Sequence, residues 1–147
     1  MRTFSQRTSI YYNIMKFEHI AFDVADPVAL AAWYCEHLSL KIVLHLPQPS
    51  EIHFLTDDTG SFCVEVYRNA AVESPNYHAR DPILFHVAFQ SDDPATDKER
   101  LVAAGATFHT EAKRPDAHVV MLRDPWGIGL QLVKRTTPLV TIDRAVT

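Results

Sequence analysis

Two nine-residue stretches of this chain agree at five positions, and that duplication limits the possible folds more than any other feature. Residues 19–27 read His-Ile-Ala-Phe-Asp-Val-Ala-Asp-Pro and residues 86–94 read His-Val-Ala-Phe-Gln-Ser-Asp-Asp-Pro, at an offset of 67. A repeat of this length implies one supersecondary unit used twice. Two turns of the form Asp-x-x-Gly, at 57–60 and 124–127, keep the same offset.

Between these landmarks the punctuation repeats as well. Alternating apolar and polar residues predict a strand over 16–24, and Asp26-Pro27 opens a helix running to about His37. Strands follow over 40–46, 51–56 and 62–68, the last two joined by the Asp57 turn. The second copy gives a strand over 82–90, a helix from Asp93-Pro94 to Gly105, and strands over 106–112, 118–123 and 128–134. The expected class is α+β: two βαβββ modules, 16–68 and 82–134, forming a cupped mixed sheet with flanking helices. A polar linker, 69–81, joins them. An N-terminal extension, 1–15, and a C-terminal tail, 136–147, flank the domain at 16–135.

Composition narrows the function. With 147 residues, 47% hydrophobic and 22% charged, the chain has material for one packed core. A net charge of −4 without a basic run argues against a nucleic-acid partner. No run approaches the ~18 apolar residues of a membrane span. Residues 1–14 lack the continuous apolar core and small-residue cleavage site of a secretory signal. Cys35 and Cys63 stand in no motif-like spacing, so two free thiols in a cytoplasmic, reducing compartment are expected.

Four polar side chains interrupt the strands at duplicated places. His19 and His86 lie in the first strand of each copy; Glu65 and Gln131 lie in the last, 46 and 45 residues later. Strand alternation sets Val64 and Val66, or Leu130 and Leu132, on one face, with Glu65 or Gln131 on the other. The histidines share that second face with small Ala21 and Ala88. Two imidazoles, a carboxylate and an amide oxygen facing one way make a mixed N/O ligand set for a divalent first-row metal. The plainer reading is that each histidine is a hydrogen-bonded structural residue, that Glu65 pairs with an arginine and that Gln131 bonds to backbone. His53, Tyr67, His118 and Trp126 are candidate walls of a substrate pocket.

The His-Ile/Val-Ala-Phe openings resemble the vicinal oxygen chelate superfamily. So do Trp33-Tyr34 ahead of Leu38-Ser39-Leu40, Ala103-Ala104-Gly105-Ala106, and Asp124-Pro125-Trp126-Gly127 before Gln131. That superfamily includes glyoxalase I, bleomycin-resistance proteins, fosfomycin-resistance enzymes, methylmalonyl-CoA epimerase and extradiol dioxygenases. The resemblance covers residues 16–135. It implies a cup around one ion held by His19, Glu65, His86 and Gln131, with open positions for vicinal substrate oxygens. It also implies a homodimer, each cup completed by one chain or by two.

Two positions depart from the family pattern. Gln131 stands where catalytic members commonly carry Glu, and it cannot accept a proton at neutral pH; the base would then be Glu65. Ser39 stands where a glycine usually follows the helix. With one carboxylate the site keeps a formal charge of about +1, which sharpens the ion's Lewis acidity. The leading expectation is a metal-dependent, glyoxalase-like lyase or isomerase using Zn, Ni, Mn or Fe on a small molecule. Alternatives are a metal-free binder of the bleomycin-resistance kind and an Fe(II) dioxygenase using His19, His86 and Glu65.

Overall fold

The structure is a computed structural model describing residues 15–139. The expected N-terminal extension up to 14, and the tail beyond 139, lie outside the described residues. The elements run β1 (Ile20–Asp23), α1 (Pro27–Leu38), β2 (Lys41–Leu46), β3 (Ile52–Thr56), β4 (Cys63–Tyr67), then β5 (His86–Gln90), α2 (Pro94–Ala103), β6 (Thr107–Lys113), β7 (Ala117–Arg123) and β8 (Gly129–Arg135). The order is βαβββ twice. Hydrogen bonds build two four-stranded mixed sheets, ordered β1-β4-β3-β2 and β5-β8-β7-β6. In each, the first strand pairs in parallel with the last, and the other pairs are antiparallel.

Both helices start as the Asp-Pro pairs require. Asp26 accepts the Ala29 N–H at 2.9 Å, Asp93 accepts the Thr96 N–H at 3.3 Å, and proline takes the first helical position. Their ends differ. After α2, Gly105 adopts φ 100, while Ser39 after α1 is forced to φ 58. A side chain there meets the steric penalty that glycine escapes.

The first strand is shorter than alternation suggests, because pairing starts only at Ile20 opposite Val64. Residues 16–19 therefore escape strand geometry. The linker is tied down: Asp23 accepts the Asn69 N–H at 2.9 Å and the Ser74 hydroxyl at 2.5 Å. A 3-10 turn, Tyr77–Ala79, packs its tyrosine on Phe22.

One apolar cluster serves both modules. It joins Phe22, Leu30, Tyr34, Leu55, Val64 and Val66 to Val87, Leu101, Val120, Leu122, Leu130 and Leu132. The modules meet on the helix side of their sheets. Trp33 Nε1 donates to the Ala104 carbonyl at 2.8 Å, Arg100 donates to the His37 carbonyl at 2.8 Å, and the Trp33 and Trp126 rings cross edge to face. At the centre, the Tyr34 hydroxyl donates to Asp124 Oδ2 at 2.8 Å, with both groups fully buried. Asp124 Oδ1 takes the N–H groups of Trp126 and Ile128, each at 2.9 Å. Gly127 closes this turn at φ 92, and a Cβ there would stand 2.6 Å from the His78 nitrogen. Burial pushes the Asp124 carboxyl up to about 6, against the lowering effect of its donors.

The second helix is fixed to its sheet by charge. Lys98 of α2 reaches Glu111 Oε2 at 2.8 Å, and His118 Nε2 reaches Glu111 Oε1 at 2.8 Å. Those contacts, Lys98 first, hold the Glu111 carboxyl down at about 2. A depressed carboxyl contributes stability that is present above its unfolded value of 4.5 and lost as pH falls through about 2.

Three stability measurements follow from this packing. Tyr34→Phe, which leaves a buried carboxylate oxygen without its donor, is expected to cost about 1–3 kcal/mol in denaturant unfolding. Ser39→Gly is expected to raise stability by up to about 1 kcal/mol, the relief of a left-handed side chain less the entropy of glycine. Glu111→Gln is expected to flatten the loss of thermal midpoint between about pH 4.5 and 2.

Candidate functional site

The duplicated polar residues occupy equivalent places on the faces turned away from the helices. Ala21 pairs with Glu65 across β1 and β4, and Ala88 pairs with Gln131 across β5 and β8. Val64, Val66, Leu130 and Leu132 are buried beneath the helices, while Glu65 and Gln131 are half-exposed and both alanines are exposed. The small alanines leave room above the sheet. Tyr67 and Cys63 flank Glu65 on the same face, and Phe54 stands beside it on β3.

His19 sits just ahead of β1, with Nε2 3.1 Å from Glu65 Oε2 and its ring edge-on to Phe54. Its other nitrogen, Nδ1, bonds to the carboxylate of Glu18. The Glu18 contact first, then Glu65, hold this imidazole above its ordinary pKa, while burial opposes them. If Nδ1–H donates to Glu18, the Nε2 lone pair faces a carboxylate lone pair, and only a proton or a cation between them relieves the repulsion. Two atoms each about 2.1 Å from one ion, at an angle near 90°, stand about 3.0 Å apart. The observed spacing suits a hydrogen bond from a protonated His19 and equally two ligands of one ion. No Lys or Arg among the described residues pairs with Glu65, so the plainer arginine pairing is not found there. Strand alternation places Glu18 on the far face, but the regular strand begins only at Ile20, so alternation fails at this residue.

His86 is prepared in the same manner. Its Nδ1 is 3.2 Å from the Pro82 carbonyl, which fixes the Nδ1–H tautomer and leaves Nε2 as an acceptor. Within one chain, however, His19 and Glu65 on the first sheet and His86 and Gln131 on the second form two half-sites. The ligand atoms of His19, Glu65 and His86 do not gather within 4.8 Å; among the described residues only His45, Glu51 and His53 do so. Cys63 is a free, half-buried thiol whose pKa burial raises, with the Glu18 and Glu65 charges adding to the effect. Cys35 is also free.

Three expected pocket walls lie elsewhere. His53 pairs with Val66, so it shares the helix-side face and is buried there, opposite to Glu65. His118 pairs with Lys134 in the row of Leu130 and Leu132, where Glu111 holds it. Trp126 packs on Trp33 and the shared core and does not roof a cup. Of the four, Tyr67 alone lies on the face of Glu65. Alternation counted from the neighbouring apolar residues places both histidines on the helix side. The Trp126 position needs the inter-module contact, which no local pattern carries.

None of the helices in the described residues is long and apolar enough to cross a membrane. No curated protein matches the chain in sequence. Among solved structures, the chain resembles TnmS3, an antibiotic binding protein from Streptomyces sp. CB03234, at 16% identity over 84% of this chain and 100% of that one, with TM-score 0.63. It resembles a glyoxylase/bleomycin resistance protein/dioxygenase domain from Frankia sp. EAN1pec at 20% identity, 83% and 98% coverage and TM-score 0.62. The fosfomycin resistance protein FosX from Listeria monocytogenes gives 19% identity, 84% and 94% coverage and TM-score 0.62. At these identities the neighbours speak for the fold. The family model of the glyoxalase-like domain matches residues 19–133, most of the chain. The chain therefore belongs to the glyoxalase-like domain family, within the vicinal oxygen chelate superfamily.

Proposed function

We propose that this chain is a divalent-metal-dependent, glyoxalase-like lyase or isomerase whose small substrate binds through adjacent oxygens in a cup that two protomers complete. The contact between His19 Nε2 and Glu65 Oε2, an imidazole and a carboxylate set at ligand spacing with no Lys or Arg among the described residues on Glu65, supports this reading. His19 and Glu65 of one protomer, with His86 and Gln131 supplied by the other, would hold a zinc, nickel, manganese or iron ion. When bound, such an ion supplies Lewis acidity at the two substrate oxygens.

The proton chemistry falls to the chain itself. Glu65 is the only carboxylate among the four positions and is the base that would take a proton next to a carbonyl. The Gln131 amide holds its place without accepting one. Tyr67 and Phe54 shape the wall beside Glu65, and Phe54 packs edge-on against the His19 ring. Cys63, kept as a neutral thiol, is a poor nucleophile there.

A homodimer is favoured by the edges the single chain leaves open. β1 and β5, which border the half-sites, are edge strands, and β2 at the opposite edge exposes Ile42, Val43, Leu44 and Leu46. Two free thiols suit a cytoplasmic setting. The metal-free alternative, a small-molecule binder, draws support from the aromatic Phe54 and Tyr67 and from the likeness to an antibiotic binding protein. An Fe(II) dioxygenase is disfavoured, since its carboxylate would be Glu65 on β4 and not a residue of the last strand, and it would reveal itself by oxygen uptake with a catechol.

Mixing variants tests the cup directly. His19→Ala and His86→Ala homodimers are each expected to retain less than about a tenth of the wild-type cup metal. After subunit exchange, each mixed dimer regains one cup with all four ligands, and metal content recovers. Recovery failing in dimers proven to be mixed would place the cup within one chain. Untagged wild-type protein that retains no metal, yet binds small aromatic ligands undiminished by His86→Ala, would favour the metal-free binder.

A further inference from the structure

The β2–β3 hairpin carries a second group of metal-type ligands, on the helix-side face and apart from the cup. His45 lies directly opposite His53 in the hairpin register, and Glu51 precedes His53 by two residues. One ligand atom from each of the three lies within 4.8 Å of the others. We propose that His45, Glu51 and His53 form a separate binding site for a divalent first-row transition ion. This site does not depend on the reading of the cup.

His53 and Glu51 each have an outer partner of the kind that fixes metal-binding side chains. His53 is buried, and its Nδ1 lies 2.9 Å from the Glu51 carbonyl, so a proton there leaves the Nε2 lone pair free. Glu51 Oε1 accepts from Gln48 Nε2 at 2.8 Å, while Oε2 stands 3.1 Å from His45 Nε2. The Glu51 backbone adopts φ 47, a left-handed conformation costly for a residue with a Cβ, and one that costs stability to hold. Two imidazoles with one carboxylate suit Zn²⁺, Co²⁺ or Ni²⁺ better than Mg²⁺ or Ca²⁺. The ligands come from both strands and their connection, so an ion would close the outer end of the edge hairpin.

The two rings are stacked, 4.2 Å apart and 16° from parallel. Parallel rings cannot both aim in-plane lone pairs at one ion. Binding therefore turns the exposed His45 off the stack, while buried His53 stays. The second module supplies a contrast. There the imidazole–carboxylate pair of His118 and Glu111 is joined by the Lys98 ammonium. Around Glu51, no Lys or Arg among the described residues takes that role.

Zn²⁺ is titrated calorimetrically into the untagged full-length chain, its His86→Ala variant, and the His45→Ala and Gln48→Ala variants made in the His86→Ala background. His86→Ala is expected to bind one equivalent per chain, with the His45 ring-proton NMR lines shifting as the stack opens. Adding His45→Ala is expected to abolish that equivalent, and adding Gln48→Ala to weaken it about 10–100-fold. His45 and Gln48 are exposed, and unchanged thermal midpoints in apo protein confirm that the variants fold. The proposal is overturned if His86→Ala binds no Zn²⁺, or if the His45→Ala addition leaves its binding unchanged. An equivalent lost on His86→Ala but none on His45→Ala would overturn this site and leave the cup standing. The opposite pattern would count against the cup alone.

Discussion

The hydrogen bond between Tyr34 and Asp124, buried in a core that both modules share, decides which way everything else faces. It ties the first helix to the last turn, so the two modules meet on their helix sides. A sheet with one face committed to that core must turn the other outward, and His19, Glu65, His86 and Gln131 stand on those outer faces. Burying the Asp124 carboxyl carries a desolvation penalty, offset by the tyrosine and two backbone N–H donors. The same geometry that stabilises the single chain therefore divides its candidate metal centre into two half-sites.

Much of this was legible in the sequence because it depends on local rules. Asp26-Pro27 and Asp93-Pro94 fix where the helices start, and Ala21 and Ala88 mark the face shared with Glu65 and Gln131. These features follow from capping and from alternation within one strand. Alternation cannot place Glu18, because it needs a paired strand and pairing starts two residues later. The surroundings of Trp126 come from Trp33 in the other module, which no local pattern shows. As isolated histidines, His53 and His118 read as walls of a pocket. Counting from Leu55 and Val120 would have placed both beneath the helices. Separation of the sheets, and with it of the half-sites, rests on inter-module packing that no nearest-neighbour pattern encodes.

The two half-sites also differ in charge, although their backbones are equivalent. Glu18 and Glu65 set two carboxylates on one imidazole in the first, whereas the second has a carbonyl on His86 and the neutral amide of Gln131. Nearly all the negative charge that would attract a cation lies on the first sheet. An ion would therefore be gripped chiefly by His19 and Glu65, with the second half-site completing the coordination. This asymmetry bears on catalysis as well. On the proposed reading, Glu65 would be both the strongest holder of the ion and the only carboxylate among the four ligand positions, so it would have to loosen its hold in order to take a proton.

Duplication followed by local divergence accounts for the contrast between the two hairpins. In the second module a lysine on α2 meets Glu111, and the charge balance closes without an ion. The first helix, Pro27–Leu38, contains no Lys or Arg and offers no such partner. Its hairpin instead gathers Gln48, Glu51 and two stacked imidazoles, a set whose carboxylate is met only by neutral donors or a protonated histidine. A repeated backbone thus settles the same electrostatic problem in two ways, with an ammonium from the helix in one copy and with ligand-type side chains in the other. Which side chains sit on the helix above decides whether the hairpin below is closed or open to a metal.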